Sequence, residues 1–431
     1  MVQQKQKILI CTYYWPPSGG SGVQRWLYFA KHLKDLNWEP IVITVRESLA
    51  AFPEKDKSLL ELVEGIRVYP TKTREPLKLY SYLFPKTGIP KGAVPRQTFF
   101  QRLAAWARGN FFIPDARKGW VPFALTQAKE LLTTENISRL VTTGPPHSTH
   151  LIGLSLKKEF DLNWTVDFRD PWSDLFYNKE LYRSRNAQQK DKDLERIVLE
   201  TADAILTTVG GDFHQSLQEK VTKKLNLHSL PNGYDAELMA ESKFQKPKKF
   251  HLVFAGLLTM NQAYREVLNA IQIFIFKNKV KNVRWTIAGS IDHYILHEIQ
   301  EALPEVEIVY LGYLSHEKVV EVMKSAHLLL NFIFEGAHKN MLSGKLLEYL
   351  ATQNPVLSIG EPDSPAGKFL AQGSNSQMIR PNDIKGIVLY IEKIFNEKGE
   401  AINYFPKLFE WSRKALTKRL SEEILLNPKN N

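Results

Sequence analysis

The chain has a single cysteine in 431 residues, which excludes an internal disulfide framework. Cys11 lies within an apolar run and reads as a small core residue in a reducing compartment. No stretch approaches the roughly 18 consecutive apolar residues that span a bilayer. The apolar run after Lys7 is short and meets Pro16-Pro17, so no secretory signal is expected. A cytoplasmic protein is expected. Zinc-ligand spacing, an RNP-like strand and a helix-turn-helix signature are all lacking, so no nucleic-acid module accompanies the positive charge. The dinucleotide fingerprint is incomplete, because Arg25 stands where its third glycine would fall. That argues against a nicotinamide or flavin cofactor. Acidic residues are also in deficit, 46 against 57 Lys and Arg for a net charge of +11. Such a surface favours polyanions, whether anionic lipid, nucleic acid or phosphorylated substrates.

What is present is ample material for packed cores: 43% apolar residues, with nine Trp, 16 Tyr and 23 Phe. The length exceeds what one core serves. Short β-rich runs at 7–12, 40–45, 138–143, 164–168 and 204–209 alternate with helical patterns. A second series follows at 252–256, 283–289, 306–311, 328–332 and 356–359. This alternation predicts an α/β chain of two doubly wound parallel sheets in tandem. Turn chemistry at Pro231-Asn232-Gly233 and a basic linker over 243–249 place the boundary near residue 240. The expected domains are 1–240 and 241–382, followed by closing helices over 383–431 that pack back on the first domain. Leu408, Trp411 and Ala415 lie at helical spacing in that tail.

Three segments carry chemistry. Directly behind the first strand, Ser18-Gly19-Gly20-Ser21-Gly22 precedes a helix, so backbone N–H groups and a helix start are offered to a phosphate. Residues 71–120 hold ten Lys and Arg against only Glu75 and Asp115, interleaved with aromatics. Within them Phe99, Leu103, Trp106 and Ala107 form a helical stripe flanked by Arg102 and Arg108. This is either an interfacial contact with an anionic membrane or a buried helix with solvated arginines. In the second half, polar residues ending Asn340-Met341-Leu342-Ser343-Gly344 open an amphipathic helix, and Lys345 joins its first N–H groups as a seat for a diphosphate. Glu348, one turn further, is placed to accept from ribose hydroxyls or simply complements the helix dipole.

The order of these blocks, with strands ending Ala255-Gly256 and Ala288-Gly289, Leu311-Gly312-Tyr313, and Gly344-Lys345-Leu346-Leu347-Glu348, resembles GT-B glycosyltransferases. The similarity is greatest to family-four enzymes of bacterial surface polysaccharide synthesis and spans nearly the whole chain. Gly144-Pro145-Pro146-His147 and Asp167-Phe168-Arg169-Asp170-Pro171-Trp172 resemble blocks of one subgroup. The resemblance implies two Rossmann-like domains facing across a cleft. It implies transfer of a sugar from a nucleotide donor to a lipid-linked surface glycan, with retention and without metal or cofactor, at the inner face of the cytoplasmic membrane.

Carried over, Gly19, Gly20 and Gly22 approach the donor phosphates, Lys345 neutralises the diphosphate, and Asn340, Ser343, Gly344 and Glu348 complete the donor site. Leu257 and Gln262 replace two diphosphate cations of the family, with Arg265 as a candidate substitute. Arg169 stands where the family commonly has histidine, which makes His147, with Arg169 and Asp170, the candidate catalytic set. Asp167, Arg169 and Asp170 are either an acceptor-binding group or an internal ion pair, and Asp115 has similar standing. Asp191-Lys192-Asp193 spells a manganese-type carboxylate pair but falls in a charge-dense helix and reads as a solvated face. The alternatives are a nucleotide-sugar 2-epimerase of the same fold and a non-catalytic scaffold.

Overall fold

The computed structural model describes residues 5–50, 52, 54–74, 99–174, 181–334, 344–397 and 399–426. The chain divides into two compact units, Met1–Asn232 with Lys414–Asn431, and Gly233–Arg413.

The first unit is built on a seven-stranded sheet, ordered β3-β2-β1-β4-β5-β6-β7. In chain order its strands are β1 Gln6–Cys11, β2 Trp38–Val45, β3 Arg67–Thr71, β4 Arg139–Gly144, β5 Asn163–Phe168, β6 Ala204–Thr207 and β7 Leu227–Ser229. Every pair is parallel. Ile8, Leu9, Ile10 and Cys11 of β1 are all inaccessible to solvent, as a strand covered on both faces requires. The C-terminal residues hold to this unit through Trp38 Nε1, which donates to Ser421 Oγ at 2.8 Å, and Arg139 Nε, which donates to the Leu425 carbonyl at 2.8 Å.

The second unit has a six-stranded sheet ordered β10-β9-β8-β11-β12-β13. These are β8 Phe250–Leu258, β9 Val283–Ile291, β10 Glu307–Gly312, β11 Leu328–Phe332, β12 Val356–Ile359 and β13 Ser376–Ile379. Period-two alternation sends Leu252, Phe254 and Leu258 to one core and Val253 and Ala255 to the other. The first core includes helices Tyr264–Asn278 and Ile384–Asn396, with Phe274 and Phe395 rings 5.2 Å apart. The second includes Leu346, Tyr349 and Leu350 of helix Gly344–Ala351.

Helix Ile384–Asn396 buries Ile387, Ile391 and Ile394 in that first core, so it belongs to the second unit. The chain passes to the first unit only after Arg413. Leu408, Trp411 and Ala415 do not share a helix as their spacing predicts. Leu408–Trp411 is a short turn whose Trp411 ring meets Phe369 edge-on at 5.1 Å, and Ala415 begins anew within Arg413–Arg419. Both sheet orders reverse beside their first strand, between β1 and β4 and between β8 and β11. Open sheets of this kind bind ligands at the carboxyl ends of the strands flanking such a reversal.

Candidate functional site

In the first unit the loops after β1 and β4 meet at the reversal. The glycine turn is tied down locally. Ser18 N donates to the Trp15 carbonyl at 3.0 Å, and Gly19 N donates to the Glu54 carbonyl at 3.0 Å. Gly20 precedes helix Ser21–Leu33 with φ of 91°. On that helix Gly22, Arg25 and Trp26 share one face, being three and four residues apart. This face meets alternate residues of β5 and its continuation, Asp167 and Arg169.

Asp167 is wholly buried. It accepts from Arg25 Nε at 3.1 Å, Arg25 Nη2 at 2.9 Å, Trp26 Nε1 at 2.6 Å and Thr143 Oγ1 at 2.8 Å. Arg25 Nη1 also donates to the Leu230 carbonyl at 2.7 Å. Asp167 is thus the internal ion pair of its two sequence readings. Arg169 reaches three carbonyls: Gly22 from Nη1 at 2.6 Å, Gly144 from Nε at 3.0 Å, and Pro145 from Nη2. Its guanidinium ties the helix start to the loop after β4. Asp170 is half-buried, and burial followed by the pull of Arg169 and the push of Asp167 leaves its carboxyl above the usual range. Asp115 accepts from Ser148 N at 2.7 Å and Ser148 Oγ at 2.8 Å, which fixes the loop carrying His147.

His147 is 6% exposed and its ring stacks on Trp172, 5.1 Å away at 6°. Neither ring nitrogen completes a hydrogen bond with a described residue. Burial, then the charges of His150 and Arg169, hold its pKa well below the usual value, so the imidazole is neutral at pH 7. His150 stacks on Phe168 at 4.9 Å, bonds Thr142 Oγ1 through Nδ1 at 3.0 Å, and is pushed down to about 3. A Cβ on Gly144 would stand 2.6 Å from His150 Nε2 and 2.8 Å from His147 Nδ1, so only glycine fits between the two rings.

Asp191 is a correction. It is 1% exposed and accepts from Trp172 Nε1 at 2.8 Å and Arg183 Nη1 at 2.5 Å. Its face of helix Arg185–Thr201 packs against the β5 loop and is not solvated. No group of three metal-ligating side chains occurs among the described residues.

The expected membrane residues lie on helix Phe99–Phe111. Arg102 is exposed and Arg108 half-buried. Leu103, Trp106 and Phe111 are 52%, 43% and 63% exposed. Asn110, four residues after Trp106 and on the same face, ties the helix to the chain ahead of helix Arg185–Thr201: its Nδ2 donates to the Tyr182 carbonyl at 3.1 Å, and its Oδ1 accepts from Ser184 N at 2.8 Å. Residues 75–98 of the basic segment lie outside the described residues. No helix among the described residues is long and apolar enough to cross a membrane.

In the second unit Gly256 has φ of 132°, and a Cβ there would meet Lys345 Nζ at 2.5 Å. The Lys345 chain therefore lies directly over the end of β8, its ammonium 4.4 Å from the Phe254 ring centre. No acidic group among the described residues bonds it, and burial alone pulls its pKa down to about 8. Gly344 begins the helix. Asn340 and Ser343 lie outside the described residues.

Leu257 is half-buried. Gln262 is structural: its Nε2 donates to the Phe332 carbonyl at 2.9 Å and its Oε1 accepts from Thr259 N at 2.9 Å. Arg265 is no substitute cation at this site, because Glu298 binds it at 2.5 and 2.9 Å. Glu348 is buried and accepts from His316 Nε2 at 2.8 Å and Arg413 Nη2 at 2.9 Å. Burial acts to raise its pKa, but His316 and Arg413 outweigh that and hold it low. Neither partner carries a local sequence signal, being 32 and 65 residues away.

Two doubly wound parallel sheets, each gathering polar groups at its reversal, define an α/β protein of the GT-B fold class. No family model and no curated protein matches the chain. Solved structures do. The N-terminal domain of Candida albicans trehalose-6-phosphate phosphatase superposes with a TM-score of 0.65 at 14% identity, over 99% of this chain and 98% of that one. Sucrose-phosphate synthase from Thermosynechococcus elongatus gives 0.61 at 14% identity, over 98% and 99%. An E. coli trehalose-6-phosphate protein solved with UDP-2-fluoro glucose gives 0.63 at 10% identity, over 99% and 100%. These likenesses show the fold.

Proposed function

We propose that the protein is a glycosyltransferase that moves a sugar from a nucleotide-sugar donor to a lipid-linked surface glycan. The observation that carries this reading is Lys345, an ammonium at the carboxyl end of β8 with no acidic partner among the described residues. A desolvated cation of this kind awaits an anion, and the diphosphate of a sugar donor supplies one. The presence of UDP-2-fluoro glucose in the E. coli neighbour supports the same ligand class.

Lys345 stabilises the charge that develops on the departing nucleotide, with the helix start at Gly344 completing the seat. Glu348 takes the ribose. In the first unit His147 and Asp170 face the acceptor, while Arg169 holds their loops. Transfer with retention requires no protein nucleophile. The acceptor oxygen bonds the anomeric carbon as the carbon–phosphate oxygen bond breaks, and the acceptor proton passes to the departing phosphate. No metal or cofactor is required. Helix Phe99–Phe111 seats the enzyme on an anionic membrane through Arg102, Trp106 and Arg108, which delivers it to a lipid-linked acceptor at the cytoplasmic face.

Calorimetric titration with UDP, GDP and ADP in the absence of metal tests the donor site. Binding of one nucleotide, weakened at least tenfold by Lys345→Ala, supports the reading. Absence of all binding points to a non-catalytic scaffold, and conversion of the free nucleotide sugar without an acceptor points to a 2-epimerase.

A further inference from the structure

The two oxygens of Glu348 are treated differently. Oε1 accepts both His316 Nε2 and Arg413 Nη2, at 2.8 and 2.9 Å. Oε2 accepts from no described residue, and the side chain keeps 12% exposure. A buried carboxylate needs donors to remain charged. Here both donors converge on one oxygen, which leaves the lone pairs of the other unused.

The two donors are themselves held. His316 opens helix His316–Lys324 and is 6% exposed. Arg413 N donates to the Tyr234 carbonyl at 2.9 Å, and Tyr234 N donates to the Trp411 carbonyl at 3.3 Å. This pairs the segment that enters the second unit with the segment that leaves it. The Arg413 guanidinium therefore starts from backbone that is fixed on both sides.

We propose that His316 and Arg413 are positioning residues that pin Glu348 through Oε1 and aim Oε2 at a ribose hydroxyl of the bound nucleotide. The inference rests on the donor-site reading above. A pinned carboxylate loses little freedom when a hydroxyl arrives, whereas a mobile one must be ordered by the ligand. Selectivity for ribose over its deoxy forms thus belongs to the three residues together.

The test is calorimetry on the full chain with UDP, GDP and ADP, each beside its 2′,3′-dideoxy form, and with inorganic pyrophosphate. Wild type is expected to prefer the ribonucleotide about tenfold or more. Arg413→Met and His316→Leu should each reduce that preference toward unity and leave pyrophosphate affinity within about twofold. Arg413→Lys should restore part of the preference. A merely structural defect would lower nucleotide and pyrophosphate affinity together. Folded variants that keep the wild-type preference overturn the inference, as does wild type that binds nucleotides without regard to the ribose hydroxyls. If Arg413→Met fails to fold, His316→Leu answers the same question. Wild type that binds no nucleotide overturns the donor-site reading and this inference with it.

Discussion

Arg25 and Asp167, 142 residues apart, form a fully buried bidentate ion pair with both side chains at 0% exposure. The pair joins the helix behind the glycine turn to the end of β5, and Arg25 continues to the Leu230 carbonyl at 2.7 Å. Arg25→Met strands a buried carboxylate and should lower unfolding free energy by about 3–5 kcal/mol. Adding Asp167→Leu should recover part of that loss. Urea unfolding of both variants provides the check, and a loss under about 1 kcal/mol for the single variant would show that the pair is not a stability element.

Acid should destabilise the first unit before its carboxylates protonate. His150 is held at about 3 by burial, against an ordinary 6.5. Below pH 6.5 the unfolded chain therefore binds a proton that the folded one refuses, so stability falls as pH drops from 6.5 toward 3. His150 alone contributes about 2 kcal/mol of loss at pH 5. His147 titrates in the same direction. Unfolding measured at pH 7 and pH 5 should show a smaller difference in His150→Asn, which cannot titrate; an equal difference would place the acid sensitivity elsewhere.

Nucleotide affinity should weaken in alkali. Lys345 is lowered to about 8 by burial, and the neutral amine formed above that pH no longer attracts a phosphate. Affinity at pH 9 should be about tenfold below that at pH 7. Lys345→Arg, charged throughout, should show a flat profile. A wild-type profile as flat as that of the arginine variant would remove Lys345 from the phosphate seat.

Helix Phe99–Phe111 should bind vesicles that contain phosphatidylglycerol and ignore phosphatidylcholine alone. Replacing Arg102, Trp106 and Arg108 with Ser should reduce co-sedimentation at least tenfold, and raising salt to about 0.5 M should weaken the wild-type interaction. Binding unchanged in the triple variant would assign the contact to another surface.

The ten strands expected from apolar runs all form, with ends displaced by no more than a few residues. The three that escape the sequence pattern are β3, β7 and β13, reading Arg67-Val68-Tyr69-Pro70-Thr71, Leu227-His228-Ser229 and Ser376-Gln377-Met378-Ile379. All three are sheet edges. An edge strand has one hydrogen-bonded neighbour and less cover, so it tolerates Pro70, polar residues and short length, and the apolar signal fades.

The site was legible in outline only. The glycine turn, Lys345 and Glu348 stand out in sequence because helix starts and strand ends have local chemistry. The partners of Glu348, the commitment of Arg265 to Glu298 and the burial of Asp191 were not legible. Asp191 looked solvated because its neighbours on the helix are charged, yet its own face meets Trp172 and Arg183.

Sequence by itself determined two doubly wound parallel sheets and the lack of any disulfide, since apolar periodicity is a property of a few consecutive residues and reports which faces leave water. Tertiary structure alone decided which charges are structural and which stand ready for a ligand. Arg25, Arg169 and Arg265 are each engaged by distant groups, whereas no acidic group among the described residues engages Lys345. A charge becomes available or committed according to what another part of the chain delivers to it, and that delivery exists only once the chain is folded.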